Sequence, residues 1–125
     1  MGASLYIPSL FPAPDASWIG LTPQNGWSAY GQGFPPPQAM RSAGVVHLRG
    51  LLAGTTAGAS TEVVMFTLPP GYWPDIADNT QIHLAANSNN QHGSIGVYGN
   101  GTVHFKVGSP LWFSLDGVSF GAGRW

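Results

Sequence analysis

Two stretches of the chain hold the side chains that binding chemistry uses. Gly71-Tyr72-Trp73-Pro74-Asp75 sets two aromatic rings beside a carboxylate, and Asn87-Ser88-Asn89-Asn90-Gln91-His92 is a dense run of hydrogen-bond donors and acceptors. Sugars are held by stacking on aromatic faces and by amides and carboxylates that hydrogen-bond their hydroxyls. Tyr72, Trp73, Asp75, Asn87, Asn89, Asn90, Gln91 and His92 are therefore the inventory of a saccharide site. The plainer reading of the same residues is that the Asn and Ser positions form turns while Tyr72 and Trp73 cap a core.

Catalytic chemistry finds less support. His47, His83 and His104 fall on the polar side of alternating segments, where imidazoles of neighbouring strands or of symmetry-related subunits could ligate a metal. No HxH or HxxxH spacing and no thiolate reinforces that, so no metal and no cofactor is expected. Gly117-Val118-Ser119-Phe120-Gly121 matches the G-x-S-x-G string of a nucleophile elbow. That motif needs a strand-to-helix turn with an acid and a His further along the chain, and no His follows Gly121. A glycosidase needs two carboxylates flanking a cleft, whereas Asp75 and Asp78 beside Pro74 read as turn residues. Asn100-Gly101-Thr102 is a glycosylation string that a hairpin turn explains fully. No catalytic residue is assigned, and a non-enzymatic protein is expected.

Composition narrows the partners. The 125 residues allow one domain of ordinary size. Only 7% are Asp, Glu, Lys or Arg, against about 25% in a typical domain. The four basic residues (Arg41, Arg49, Lys106 and Arg124) are scattered, so phosphate neutralisation along a nucleic acid is excluded as a role. With no cysteine to staple a small core and little charge to keep copies apart, self-association or burial in a larger assembly is expected. The opening Met-Gly-Ala-Ser-Leu-Tyr has neither a basic n-region nor a long apolar h-region. No window approaches the apolar run that a membrane-spanning helix requires, so neither a signal peptide nor membrane insertion is expected.

The elements that must position these residues read as strands. Gly (18) and Pro (11) are frequent, which breaks the chain into short segments, while 43% hydrophobic content supplies a core. Residues 1–37, with Pro8, Pro12, Pro14, Pro23 and Pro35-Pro36-Pro37, predict an extended arm that packs on its own domain or on a neighbour. Residues 38–125 predict a β-sandwich domain. Val46, Leu48 and Leu52, Ile82 and Leu84, Ile95 and Val97, and Val103, Phe105 and Val107 each alternate with small or polar residues. Gly99-Asn100-Gly101 predicts a hairpin with a primed turn. Asp116-Gly117 marks a second turn or bulge, because apolar parity switches there from Leu111, Phe113 and Leu115 to Val118 and Phe120. Glu62 to Leu68 is apolar on both faces, which predicts cover from another subunit, with Val63 and Met65 at an oligomer interface. The fold class expected is all-β: an antiparallel, jelly-roll-like sandwich with a Pro-rich N-terminal arm.

Five pieces in order carry a resemblance: Trp18-Ile19-Gly20-Leu21, Asn25-Gly26-Trp27-Ser28-Ala29-Tyr30-Gly31, Gly44-Val45-Val46-His47-Leu48-Arg49-Gly50, Thr67-Leu68-Pro69-Pro70-Gly71-Tyr72-Trp73-Pro74 and Leu115-Asp116-Gly117-Val118-Ser119-Phe120. From about residue 18 to 120 the chain resembles the β-rich domain of tailed-bacteriophage tail-fibre, minor tail and receptor-binding proteins. The resemblance implies a trimerising antiparallel sandwich in the virion, in contact with other tail or capsid proteins and with a host-surface glycan, made in the host cytoplasm. It brings no catalytic residues. The family commonly reads Gly-Tyr-Arg-Pro where this chain has Trp73, so a role for that cation does not carry over. A trimeric capsid decoration protein and a bacterial carbohydrate-binding module are the alternative readings of the same residues.

Overall fold

The chain turns where glycine and asparagine can take left-handed backbone, and between those turns it forms strands. The computed structural model describes residues 17–56 and 62–123. Among them are eleven strands and no helix. They are β1 (Ile19–Gly20), β2 (Ser28–Ala29), β3 (Gln38–Ser42), β4 (Val45–Arg49), β5 (Leu51–Ala53), β6 (Val64–Thr67), β7 (Gln81–Ser88), β8 (Gln91–Tyr98), β9 (Thr102–Val107), β10 (Phe113–Ser114) and β11 (Ser119–Gly121). A seven-stranded sheet runs β2-β5-β10-β7-β8-β9-β6, and a four-stranded sheet runs β11-β4-β3-β1. The strand pairings are antiparallel. This is the all-β sandwich that the alternation predicts.

Alternation decides what lies between the sheets. Val46 and Leu48 of β4, Leu52 of β5, Ile95 and Val97 of β8, Val103 and Phe105 of β9 and Phe113 of β10 are all buried. Trp27 joins them, with its ring 5.5 Å from that of Phe105 and 6.0 Å from that of Phe113. These offset and edge-on contacts anchor the N-terminal segment on the core. The described part of the arm is thus built into the sandwich. β1 pairs with β3 and β2 with β5, so residues 17–37 contribute a strand to each sheet. The earlier part of the arm, residues 1–16, lies outside the described residues.

Two local expectations are corrected. The first concerns β6, where Met65 and Phe66 are both fully buried within one chain. The chain's own N-terminal segment docks along β6 by hydrogen bonds. The Gln24 N–H donates to Met65 O at 2.8 Å, Asn25 Nδ2 to Val64 O at 2.9 Å, and the Thr67 hydroxyl to Gln24 Oε1 at 2.9 Å. Met65 is thus a core residue of its own chain, and Val63 packs half-buried against the same core. A second subunit is not needed to explain the two-sided apolar run.

The second correction concerns turn type. The hairpin at Gly99-Asn100-Gly101 forms, but only Gly101 takes a positive φ (91°), with its N–H donating to Tyr98 O at 2.9 Å. Asn100 instead uses its Oδ1 to accept from the Thr102 N–H (3.1 Å) and hydroxyl (2.8 Å). The primed turn occurs at the other end of β8, at Asn89 (φ 53°) and Asn90 (φ 62°). Two asparagines satisfy it because their short polar side chains tolerate left-handed backbone better than other non-glycine residues do.

Both sheets are joined at one corner. β4 in the small sheet passes through Gly50 into β5 of the large one, and β10 in the large sheet passes through residues 115–118 into β11 of the small one. The two crossings are laced together: Leu115 N–H donates to Gly50 O at 2.9 Å, Gly50 N–H to Asp116 Oδ1 at 2.9 Å, and Leu48 N–H to Val118 O at 2.8 Å. The parity switch at Asp116-Gly117 is this crossing.

Candidate functional site

The residues expected to form one saccharide site fall at opposite ends of the large sheet. Trp73 packs beside Gly101 at the β8–β9 turn, and its indole N–H donates to Leu68 O at 2.7 Å. Tyr72 packs half-buried on the core with it, and Asp75 is exposed in the same loop. Asn89 and Asn90 form the β7–β8 turn, flanked by Asn87, Gln91 and His92. The eight-residue β8 lies between the two groups, which separates them by roughly 25 Å at about 3.4 Å per residue. The composite site is not assembled.

One of those residues, Asn87, does line a pocket, at the corner where the sheets meet. Asn87 of β7, Ser114 of β10 and Leu51 of β5 are paired in register across three adjacent strands. Phe113 and Leu52, one step away, point into the core, so this row lies on the outer face of the sheet. Tyr30, Phe34, Pro35, Trp112 and Asp116 complete a cavity of about 330 Å³. The aromatic walls have a local cause. Gly31 (φ 78°), Gln32 (φ 58°) and Gly33 (φ 86°) are all left-handed, and the Phe34 N–H donates to Gly31 O at 3.0 Å. The coil so formed sets the rings of Tyr30 and Phe34 edge to face at 5.6 Å, with Phe34 53% exposed. A left-handed Gln is costly, and such backbone strain gathers at functional sites.

Trp112 is held from below. The buried Ser88 hydroxyl accepts from the Ser109 N–H at 2.8 Å, and its own proton lies within reach of Trp112 O (2.9 Å) and Ser109 O (3.1 Å). Asp116 is fixed through Oδ1 by Gly50, while its other carboxylate oxygen has no hydrogen-bond partner among the described residues. The pocket thus offers aromatic faces, an amide, a hydroxyl and an acceptor carboxylate in one concavity. This is hydroxyl-recognition chemistry. The sequence signals overlooked were the Tyr-Gly-Gln-Gly-Phe run at 30–34 and Trp112, an aromatic whose parity opposes that of the core residue Phe113.

The histidines do something else. Among the described residues no three His, Asp or Glu side chains converge in a way that would hold a metal. His104 packs at a tilt against Tyr98, with ring centroids 4.4 Å apart, and lies 3.6 Å from Glu62, which is also ion-paired with Lys106. The hydrogen bond from Lys106 holds the Glu62 carboxyl below its ordinary pKa; burial opposes it, and the charge of Lys106 and the proximity of His104 and His83 add smaller effects in the lowering direction. A carboxylate with a depressed folded pKa stabilises the fold fully above the usual carboxylate range and loses that contribution as pH falls through its folded value. Stability of the wild-type chain is therefore expected to fall on acidification by slightly more than that of Glu62→Gln. Parallel denaturation series between pH 7 and pH 3 check this, and identical slopes would refute it. The effect is small because Glu62 is half exposed and screened by solvent.

No protein-family model matches the chain, and no curated protein matches it in sequence. A solved structure does match: the receptor binding protein gp15 of Listeria phage PSA, with a TM-score of 0.64 and 24% identity over 88% of this chain and 68% of that one. At that identity the likeness is one of fold.

Proposed function

We propose that this chain is a non-enzymatic receptor-binding component of a tailed-phage tail, and that the corner pocket takes saccharide on the host surface. The observation that carries the reading is the pocket itself: Tyr30, Phe34 and Trp112 around Asn87, Ser114 and Asp116, on the outer face of the sheet. Its fold likeness to a phage receptor binding protein supports the same role. Trp112→Ala tests it. Truncating an aromatic anchor costs about 1–3 kcal/mol of binding, roughly ten- to a hundredfold in affinity. Trp112 is only half-buried and lies outside the core cluster, so the melting temperature is expected to change little. Adsorption of fluorescently labelled protein to host cells should drop while the fold survives. Unchanged adsorption would refute the pocket.

Assembly as a homotrimer belongs to the same reading. A single shallow site binds sugar weakly, and three copies on a repetitive surface gain avidity without any new contact. The low charge of the chain and the exposed Val107 and Leu111 suit self-association. Multi-angle light scattering is expected to give three times the 13.1 kDa chain mass. A monodisperse single-chain species at micromolar concentration would refute it.

A further inference from the structure

The corner pocket has a neighbour. On the small-sheet side of the same corner, Trp18, Met40, His47 and Arg49 line a second cavity of about 440 Å³. Pro35 and Asp116 line both cavities, so these two residues stand at the junction between them. The second cavity repeats the chemistry of the first with an aromatic platform and a fixed polar group. The Arg49 guanidinium lies 4.0 Å over the Trp18 ring, and its Nε–H donates to Gln38 Oε1 at 2.7 Å. Those two contacts hold the fork in place, while its terminal nitrogens have no hydrogen-bond partner among the described residues.

We infer that the two cavities are adjacent subsites of one groove, which binds a chain of at least two uncharged sugar units laid across the corner between the sheets. This rests on the saccharide reading of the first cavity and deepens it. Each cavity is near the small end of ligand pockets, which run from about 300 to 1,000 Å³, so one ring does not fill the pair. The junction decides the charge of the ligand. Asp116 lines both cavities and keeps one carboxylate oxygen without a hydrogen-bond partner among the described residues, which at the junction favours hydroxyl donors over an acidic sugar or a phosphate. Arg49, which lines the second cavity alone, supplies donors there. A ligand engaging both subsites gains because its second contact is intramolecular.

The test is the full chain on an array of neutral and acidic glycans of one to six units, alongside Trp18→Ala, Arg49→Ala and Trp112→Ala. For neutral glycans that bind, affinity is expected to rise about tenfold or more from one unit to two. Trp18→Ala and Arg49→Ala should return oligomers to the single-unit level and leave single-unit binding intact, whereas Trp112→Ala should remove both. Arg49 is the second variant because its side chain is outside the core, so loss of fold at one position does not remove the readout. Equal affinity for one and two units, or oligomer binding unchanged in both second-cavity variants, would overturn the inference and leave the first pocket standing. A preference for acidic glycans would overturn it as well. Binding to no glycan at all would overturn the saccharide reading and this inference together.

Discussion

Met65→Asp is expected to unfold the chain rather than separate its subunits. Met65 is fully buried among the residues of its own sandwich, on a strand to which Gln24 and Asn25 are hydrogen-bonded. A carboxylate at that position would have no partner, since the surrounding core residues are apolar. Burying an uncompensated charge costs several kcal/mol even after its pKa shifts to neutralise it. A domain of this size has a total stability of about 5–15 kcal/mol, so the loss takes most of it. Far-ultraviolet circular dichroism and light scattering on the purified variant separate the outcomes. Loss of β signal, or an unfolding midpoint shifted far toward water, is the expected result. A folded, monodisperse single chain would show instead that Met65 contacts a neighbour.

Gly50→Ala is the second large effect, and it acts on the corner that carries both cavities. Gly50 has a φ of 117°, in the region that side chains with a Cβ rarely adopt. A Cβ there would also run into the backbone carbonyl of Pro36, which has no flexible end to move aside. The strained backbone costs about 1–3 kcal/mol by itself, and the collision adds to it by displacing the 35–37 segment. That displacement would pull on Leu51 N–H to Pro35 O (3.0 Å) and on the Gly50 N–H to Asp116 bond (2.9 Å). Chemical denaturation should therefore show a midpoint well below that of the wild type, and saccharide binding should fall in the fraction that remains folded. A wild-type midpoint would mean that the corner tolerates a rearrangement, and the rigid-corner account of the groove would fail with it.

The sequence determined the class of fold and most of its interior. Period-two alternation in residues 45–52, 81–98 and 102–107 needs only that one face of each strand meets apolar neighbours, which is a local property of the side chains. The same alternation picked Val46, Leu48, Ile95, Val97, Val103 and Phe105 as buried. It could not show β1 and β2, whose pairing partners lie about 20 residues further along the chain and whose own two residues carry no pattern. Nor could it tell that Met65 and Phe66 are both buried within one chain, because that depends on how distant segments pack around β6.

The candidate site shows the same division. Clustering along the chain brought Trp73 and Asn87 into one expected site, yet the length of β8 holds their neighbourhoods apart. The pocket that does form draws on residues 30–35, 50–51, 87 and 112–116. These positions meet only because two strand pairs change sheets side by side at Gly50 and Asp116. A sequence records which residues can stack and which can donate or accept. Which of them share a cavity is set by long-range strand order, and that is fixed by the packing of the whole sandwich rather than by any local run.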